Sequence, residues 1–139
     1  INSALRKGQE IFDKILLDAP CTGSGTFLQH PELKWRQNPH FLRQNMFFQR
    51  KLLNSAISLL KPGGILVYCV CSLYPEEGEY VIRDVIEEKN ITPLPIKISN
   101  NGNISQGYKI ASTCIEGIGR TFSNESGYDL SFFYAKLMK

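Results

Sequence analysis

No stretch of the 139-residue sequence approaches the roughly 18 unbroken apolar residues of a membrane-spanning helix, so no membrane association is expected. The opening INSALRKGQE lacks the apolar h-region of a secretory signal. Cysteine is sparse: the four thiols Cys21, Cys69, Cys71 and Cys114 are too few and too irregularly spaced for a disulfide scaffold. These absences predict a soluble, intracellular protein with reduced cysteines. A structural zinc site is not expected either, because Cys69-x-Cys71 is not a Cys-x-x-Cys element and has no matching pair. Gly23-Ser24-Gly25 lacks the Gly-x-Ser-x-Gly of a nucleophile elbow and the following lysine of a phosphate loop. There is no internal repeat and no low-complexity tract.

What is present is enough apolar material, 42% of residues, for one core and one globular domain. The organising stretch is FDKILLDAPCTGSG, from Phe12 to Gly25. Phe12, Ile15, Leu16 and Leu17 form a short apolar run, the pattern of a strand covered on both faces in a parallel sheet. That strand ends in Asp18-Ala19-Pro20-Cys21 and a flexible Thr-Gly-Ser-Gly. Ligands of open α/β sheets bind outside the carboxyl ends of strands, so Asp18 and Cys21 are site candidates.

Residues from Thr26 to Asn38 read as an irregular loop punctuated by Pro31 and Pro39. Asn38-Pro39 is a helix start, with a capping side chain and a proline where no amide is needed. Leu42, Met46, Leu53, Ile57 and Leu60 then form one apolar stripe, and Lys61-Pro62-Gly63-Gly64 ends the helix. Ile65 to Cys71 is a second buried strand. Glu76, Glu77 and Glu79 load the first turn of a helix running through Ile86, where acids favour the positive end of the macrodipole. A strand, helix, strand order implies a right-handed crossover that sets both strand ends on one sheet edge, and so brings Cys21 and Cys71 together in space. Beyond Asn90 the chain reads as β-rich, with a polar turn at Asn100 to Asn103, a strand-like Tyr108 to Ala111 and a closing strand from Tyr128 to Leu137.

The net charge of +3 is unevenly placed. From His30 to Lys51 five cations, Lys34, Arg36, Arg43, Arg50 and Lys51, face one acid, Glu32, and are interleaved with Trp35, Phe41, Phe47 and Phe48. Nucleic-acid surfaces often look like this, and so does a solvated helix face over core aromatics.

LLDAPCTGSG, the later KPGGILVYCVCSLYPEEGE and the closing YDLSFFYAKL together resemble the NOL/NOP/Sun family of RNA cytosine-5 methyltransferases, which use S-adenosylmethionine. The resemblance covers most of Phe12 to Tyr80 and returns at Asp129 to Leu137. It implies a nucleophilic role for Cys71, which would add to carbon 6 of cytosine and make carbon 5 reactive toward the methyl group. It implies that Cys21 helps release the product, that Asp18 lies near the base and the methyl donor, and that Pro20 shapes the cofactor-facing loop. Lys34, Arg36 and Arg43 are the expected RNA contacts, and the expected partner is rRNA or tRNA. By contrast Cys69 and Cys114 are expected to be small buried hydrophobes.

The chain departs from the family pattern at Val70, where threonine is usual, and lacks a histidine-proline element around Thr121 to Asn124. Nothing before Phe12 reads as the glycine-rich cofactor turn. The resemblance therefore implies an α/β fold corresponding to the second half of a Rossmann-like methyltransferase sheet: parallel strands with crossover helices, then an antiparallel C-terminal hairpin. Residues 1–139 would form a single partial domain. Alone it is expected to bind S-adenosylmethionine weakly or not at all, to be inactive, and to pair through the open edge beside Phe12 to Leu17 with a chain or segment that supplies the first half. The expected location is cytoplasmic, or nucleolar in a eukaryote. The alternative is a catalytically idle RNA-binding or assembly module that keeps the fold. An amino-group methyltransferase resembles an acid-Pro-Pro-aromatic strand end, which Ala19-Pro20-Cys21 does not match.

Overall fold

Two short apolar runs separated by a helix with one apolar stripe have a simple solution, a parallel strand pair with the helix laid across one face. In the computed structural model, which describes residues 9–96, 105–108, 115, 117–122 and 130–139, that is the arrangement. Strand β1 (Phe12–Asp18) pairs in parallel with β2 (Leu60–Val70), in register from Lys14 opposite Ile65 to Asp18 opposite Cys69. Helix α1 (Pro39–Leu59) connects them. Its start is the one the sequence predicts: the Asn38 side chain accepts a 2.8 Å hydrogen bond from the Phe41 amide, and Pro39 opens the first turn.

The helix stops at Leu59, and Lys61-Pro62-Gly63-Gly64 continues as the first part of β2. Extra residues there slip the register, with Phe12 opposite Leu60 but Lys14 opposite Ile65. Gly63 takes a left-handed φ of 75°, and its amide donates to the Lys139 carbonyl at 2.7 Å.

Helix α2 (Glu79–Glu88) follows, then β3 (Thr92–Pro93), β4 (Ser105–Gln106), β5 (Ile118–Thr121) and β6 (Phe132–Met138). The sheet order is β1-β2-β6-β5-β4, with β6 antiparallel to both β2 and β5, and β3 pairing with the far end of β6. This is a mixed α/β sheet, parallel between β1 and β2 and antiparallel from β6 onward. Leu53 and Ile57 of α1 and Val81, Ile82 and Val85 of α2 pack with Leu66, Tyr68, Val70, Phe133, Ala135 and Leu137 in one core. Each buried Val, Leu, Ile or Phe side chain among them contributes about 1.5–3 kcal/mol by leaving water.

The opposite face differs from expectation. β1 is not covered on both sides: Leu16 is 72% exposed, because among the described residues both α helices lie on one face and β1 is an edge strand. Leu16, Val67, Cys69, Phe132 and Tyr134 border an apolar cleft of about 380 Å3 on this open face.

Three further readings are corrected. The segment read as an irregular loop, Thr26 to Asn38, contains a 3-10 turn at Pro31–Arg36 and is entered through another at Ser24–Thr26; such turns need no 3.6-residue period and so leave no stripe to detect. In the first half of α1 the buried residues are Asn45 and Gln49, while Leu42 and Met46 are only partly covered, and Leu60 already belongs to β2. Glu77 precedes α2 rather than loading its first turn, and both Glu77 and Glu79 are fully buried by specific partners. The readings at Cys114, at Asn100 to Asn103, over most of Tyr108 to Ala111 and at Tyr128 and Asp129 lie outside the described residues, where the last strand begins at Phe132. Among the described residues no helix is long and apolar enough to cross a membrane.

Candidate active site

Because β1 and β2 are parallel, their ends share one edge, and the ladder closes with the Ala19 amide donating to the Cys69 carbonyl at 3.0 Å. Pro20 has no amide to continue it. The chain turns, and the Cys21 and Cys71 sulfurs meet at 3.1 Å as free thiols. Gly25 makes this approach possible. Its amide donates to the Cys71 carbonyl at 3.0 Å, its carbonyl accepts from the Ser131 amide at 2.9 Å, and a Cβ there would lie 2.1 Å from the Ser131 carbonyl oxygen. Ser24 adds a second tie, accepting from the Leu73 amide at 2.8 Å.

The two thiols are not equivalent. Cys71 is lowered to about 7, chiefly because the Cys21 S–H donates to its thiolate, which outweighs burial and the negative charges of Asp18 and Glu77. Cys21 is pushed far above the ordinary thiol range by that same bond, with burial and the neighbouring charges adding to it. The contact between the sulfurs thus favours the proton on Cys21 and thiolate character on Cys71. Cys69, expected to be a buried hydrophobe, is instead half-buried on the open face with its sulfur 3.7 Å from Asp18 Oδ1. Burial first and the Asp18 charge second push it up to about 11.

Sequence reasoning missed the groups that fix this geometry. Glu77 accepts from the Thr22 amide at 2.9 Å, the Thr22 hydroxyl at 2.6 Å, the Ser72 hydroxyl at 2.5 Å and Gln49 Nε2 at 3.2 Å. The same Gln49 nitrogen donates to the Pro20 carbonyl at 2.9 Å. Beside it, Glu79 and Arg120 form a fully buried two-bond pair at 2.7 and 2.6 Å, and Arg120 Nη1 donates to the Ser72 carbonyl at 2.7 Å. The guanidinium lies 5.1 Å from the Phe133 ring centre. The acidic Pro-Glu-Glu-Gly-Glu run was a visible signal for the two carboxylates, but nothing around Arg120 marked it.

Asp18 is exposed at the strand end, and Pro20 is exposed beside it. Lys34 and Arg36 lie on the exposed 3-10 turn, and Arg43 borders a separate cleft of about 460 Å3 with Gln37, Leu42, Met46, Tyr74 and Glu76. The structure thus joins the two thiols, sets Asp18 at the same sheet edge, and leaves the three cations on the flanking surface. Among the described residues no group of three or more histidine, cysteine or acidic side chains is arranged to hold a metal ion.

Comparison with known proteins matches this architecture. Over 127 residues the chain is 37% identical to ribosomal RNA small subunit methyltransferase B of Thermus thermophilus, covering 91% of this chain and 29% of that protein. The solved structure of NSun6 from Pyrococcus horikoshii with SFG superposes with a TM-score of 0.76 at 30% identity, over 97% of this chain and 33% of its own. A methyltransferase homolog from the same organism gives a TM-score of 0.75 at 35% identity, over 98% of this chain and 42% of its own. The chain therefore spans less than half the length of each of these relatives. The family model for the 16S rRNA methyltransferase RsmB/F matches residues 2–138, and with the sheet, the strand-end loops and these identities it establishes that the chain belongs to the RsmB/F family of the Sun-type methyltransferases.

Proposed function

We propose that this chain carries the thiol chemistry of an S-adenosylmethionine-dependent RNA cytosine-5 methyltransferase acting on rRNA or tRNA. The observation that carries this reading is the pair of free thiols, 3.1 Å apart at the ends of two parallel strands. Carbon 5 of cytosine is a poor nucleophile. The Cys71 thiolate adds to carbon 6, forming a C–S bond while the C5–C6 π pair makes carbon 5 electron-rich. With Cys71 bound to the base, Cys21 gives its own proton to solvent; after methylation of carbon 5 the Cys21 thiolate takes the proton from that carbon, the electron pair re-forms the C5–C6 bond, and the C–S bond breaks to return the Cys71 thiolate. The pairing suits this order, because Cys21 loses its thiolate partner once Cys71 is bound to the base.

S-adenosylmethionine supplies an electrophilic methyl when bound. The residues present fit part of that ligand: the exposed Asp18 carboxylate suits a cationic group, and Cys69 beside it borders the apolar cleft of the open face. Pro20 shapes the same loop. SFG, the S-adenosylmethionine analogue named with NSun6, supports the cofactor class. The remaining contacts are proposed to come from a first half of the domain supplied by another segment or chain. The 139-residue chain alone is then inactive and shows no micromolar binding by calorimetry. The proposed location is cytoplasmic, or nucleolar in a eukaryote.

The test uses the protein with that half supplied, labelled RNA and denaturing electrophoresis. Cys71→Ala abolishes methylation and forms no adduct, whereas Cys21→Ala accumulates a covalent protein–RNA adduct. Adduct with Cys71→Ala alone exchanges the two roles, and activity in both variants removes the thiol mechanism. RNA binding with no methylation by the completed wild-type protein favours the idle-module reading.

A further inference from the structure

We propose that Glu77 is a positioning residue for the cysteine chemistry: its buried carboxylate ties the loop after β1 to the loop after β2 and so sets the distance between the Cys21 and Cys71 sulfurs. This rests on the thiol reading above. The bonds carry it. Glu77 takes two donors from Thr22, the residue next to Cys21, and one from Ser72, the residue next to Cys71. Gln49 of α1 reaches Glu77 and the Pro20 carbonyl with one amide nitrogen, so Cys21 is flanked on both sides by residues tied to this carboxylate. The Tyr68 hydroxyl, from the core face of β2, donates to the Glu77 carbonyl at 2.8 Å and fixes its backbone.

A carboxylate that accepts four hydrogen bonds in the interior holds its partners more tightly than neutral acceptors do, since charge-assisted bonds are roughly twice as strong. Ser24 and Gly25 join the same two loops farther along the chain from Cys21, whereas Glu77 holds the residues adjacent to both sulfurs. The acid-rich turn thus has a task distinct from favouring a helix start.

The groups facing Cys71 are Cys21, Asp18, Cys69 and Glu77, which allows positioning to be told apart from electrostatics. If Glu77 acted only by its charge, Glu77→Gln would lower the Cys71 titration, because that charge raises it. If Glu77 positions the pair, the variant loosens the S–H bond and the titration rises toward about 8.5, the ordinary thiol range. The experiment is the pH dependence of Cys71 alkylation by iodoacetamide, read by mass spectrometry on the protein as its source makes it. A rise in midpoint, with alkylation at pH 7 slower by on the order of tenfold, is expected. An unchanged or lowered midpoint in folded Glu77→Gln overturns the proposal.

Thr22→Val, which keeps the Glu77 charge and removes one donor, gives a smaller rise, and Thr22→Ser restores the wild-type midpoint. These two variants decide the matter if Glu77→Gln does not fold: Thr22→Val indistinguishable from wild type overturns the proposal. Because alkylation needs neither RNA nor methyl donor, this outcome is separate from the methylation assay, whose failure in the wild-type protein would strike the functional reading instead.

Discussion

The strand-end loops and the surface beside them solve opposite problems. Around Cys21 and Cys71 the polar groups are buried and bonded: Thr22, Ser24, Ser72, Glu77, Glu79 and Arg120 are all nearly inaccessible, and the carboxylates and the guanidinium among them have several partners each. Along residues 27–51 large apolar and charged side chains face solvent, with Trp35 at 91% exposure, Phe47 at 56% and Lys51 lying 4.2 Å from the Phe47 ring centre. Bond formation by a thiolate requires a fixed approach, which saturation of buried polar groups provides. The RNA contact proposed for this surface would require accessible cations and rings, which a rigid buried network would remove.

That contrast is broken most severely by removing one partner of the buried ion pair. Arg120→Met leaves Glu79 charged and buried, and about 3–5 kcal/mol of stability should be lost, read as a fall in the urea midpoint. A stability change under about 0.5 kcal/mol would mean that the pair does not brace the loop.

Gly25→Ala tests the loop by crowding. Its Cβ meets the Ser131 carbonyl at 2.1 Å, so the cost should be about 1–3 kcal/mol, with slower Cys71 alkylation because the two strand ends are forced apart. Wild-type stability and alkylation would show that the loop moves freely around that contact.

The smallest expected effect lies on the exposed side. Neutralising Lys34, Arg36 and Arg43 should leave stability within about 0.5 kcal/mol of wild type. The salt dependence of RNA binding should fall, by roughly one unit of log–log slope for each phosphate that is no longer neutralised. Unchanged slopes would return this segment to an ordinary solvated surface.

What the sequence made legible was local or was fixed by topology. Asn38 and Pro39 mark a helix start because the cap involves Phe41, three residues away. The meeting of Cys21 and Cys71 follows from two parallel strands ending on one edge, although the residues stand fifty positions apart. The clamp was illegible for the reverse reason. Glu77 finds Thr22 at a separation of 55 positions and Arg120 finds Glu79 at 41, and no period or motif announces such a pairing. The open face was misread because an apolar run records that a strand suits burial, without recording which element covers it. Leu16 carries the same signal whether a helix lies over it or not.

The two sulfurs are proposed to share one proton with Cys71 as the thiolate, and the most direct test is the pH dependence of Cys71 alkylation in wild type and in Cys21→Ala. In wild type the midpoint should lie at about 7, with the rate falling about tenfold per pH unit below it as the thiolate is protonated. Cys21→Ala removes the S–H donor, and the midpoint should rise toward about 8.5. A wild-type midpoint already near 8.5, or one that stays at about 7 without Cys21, would contradict proton sharing between the two thiols.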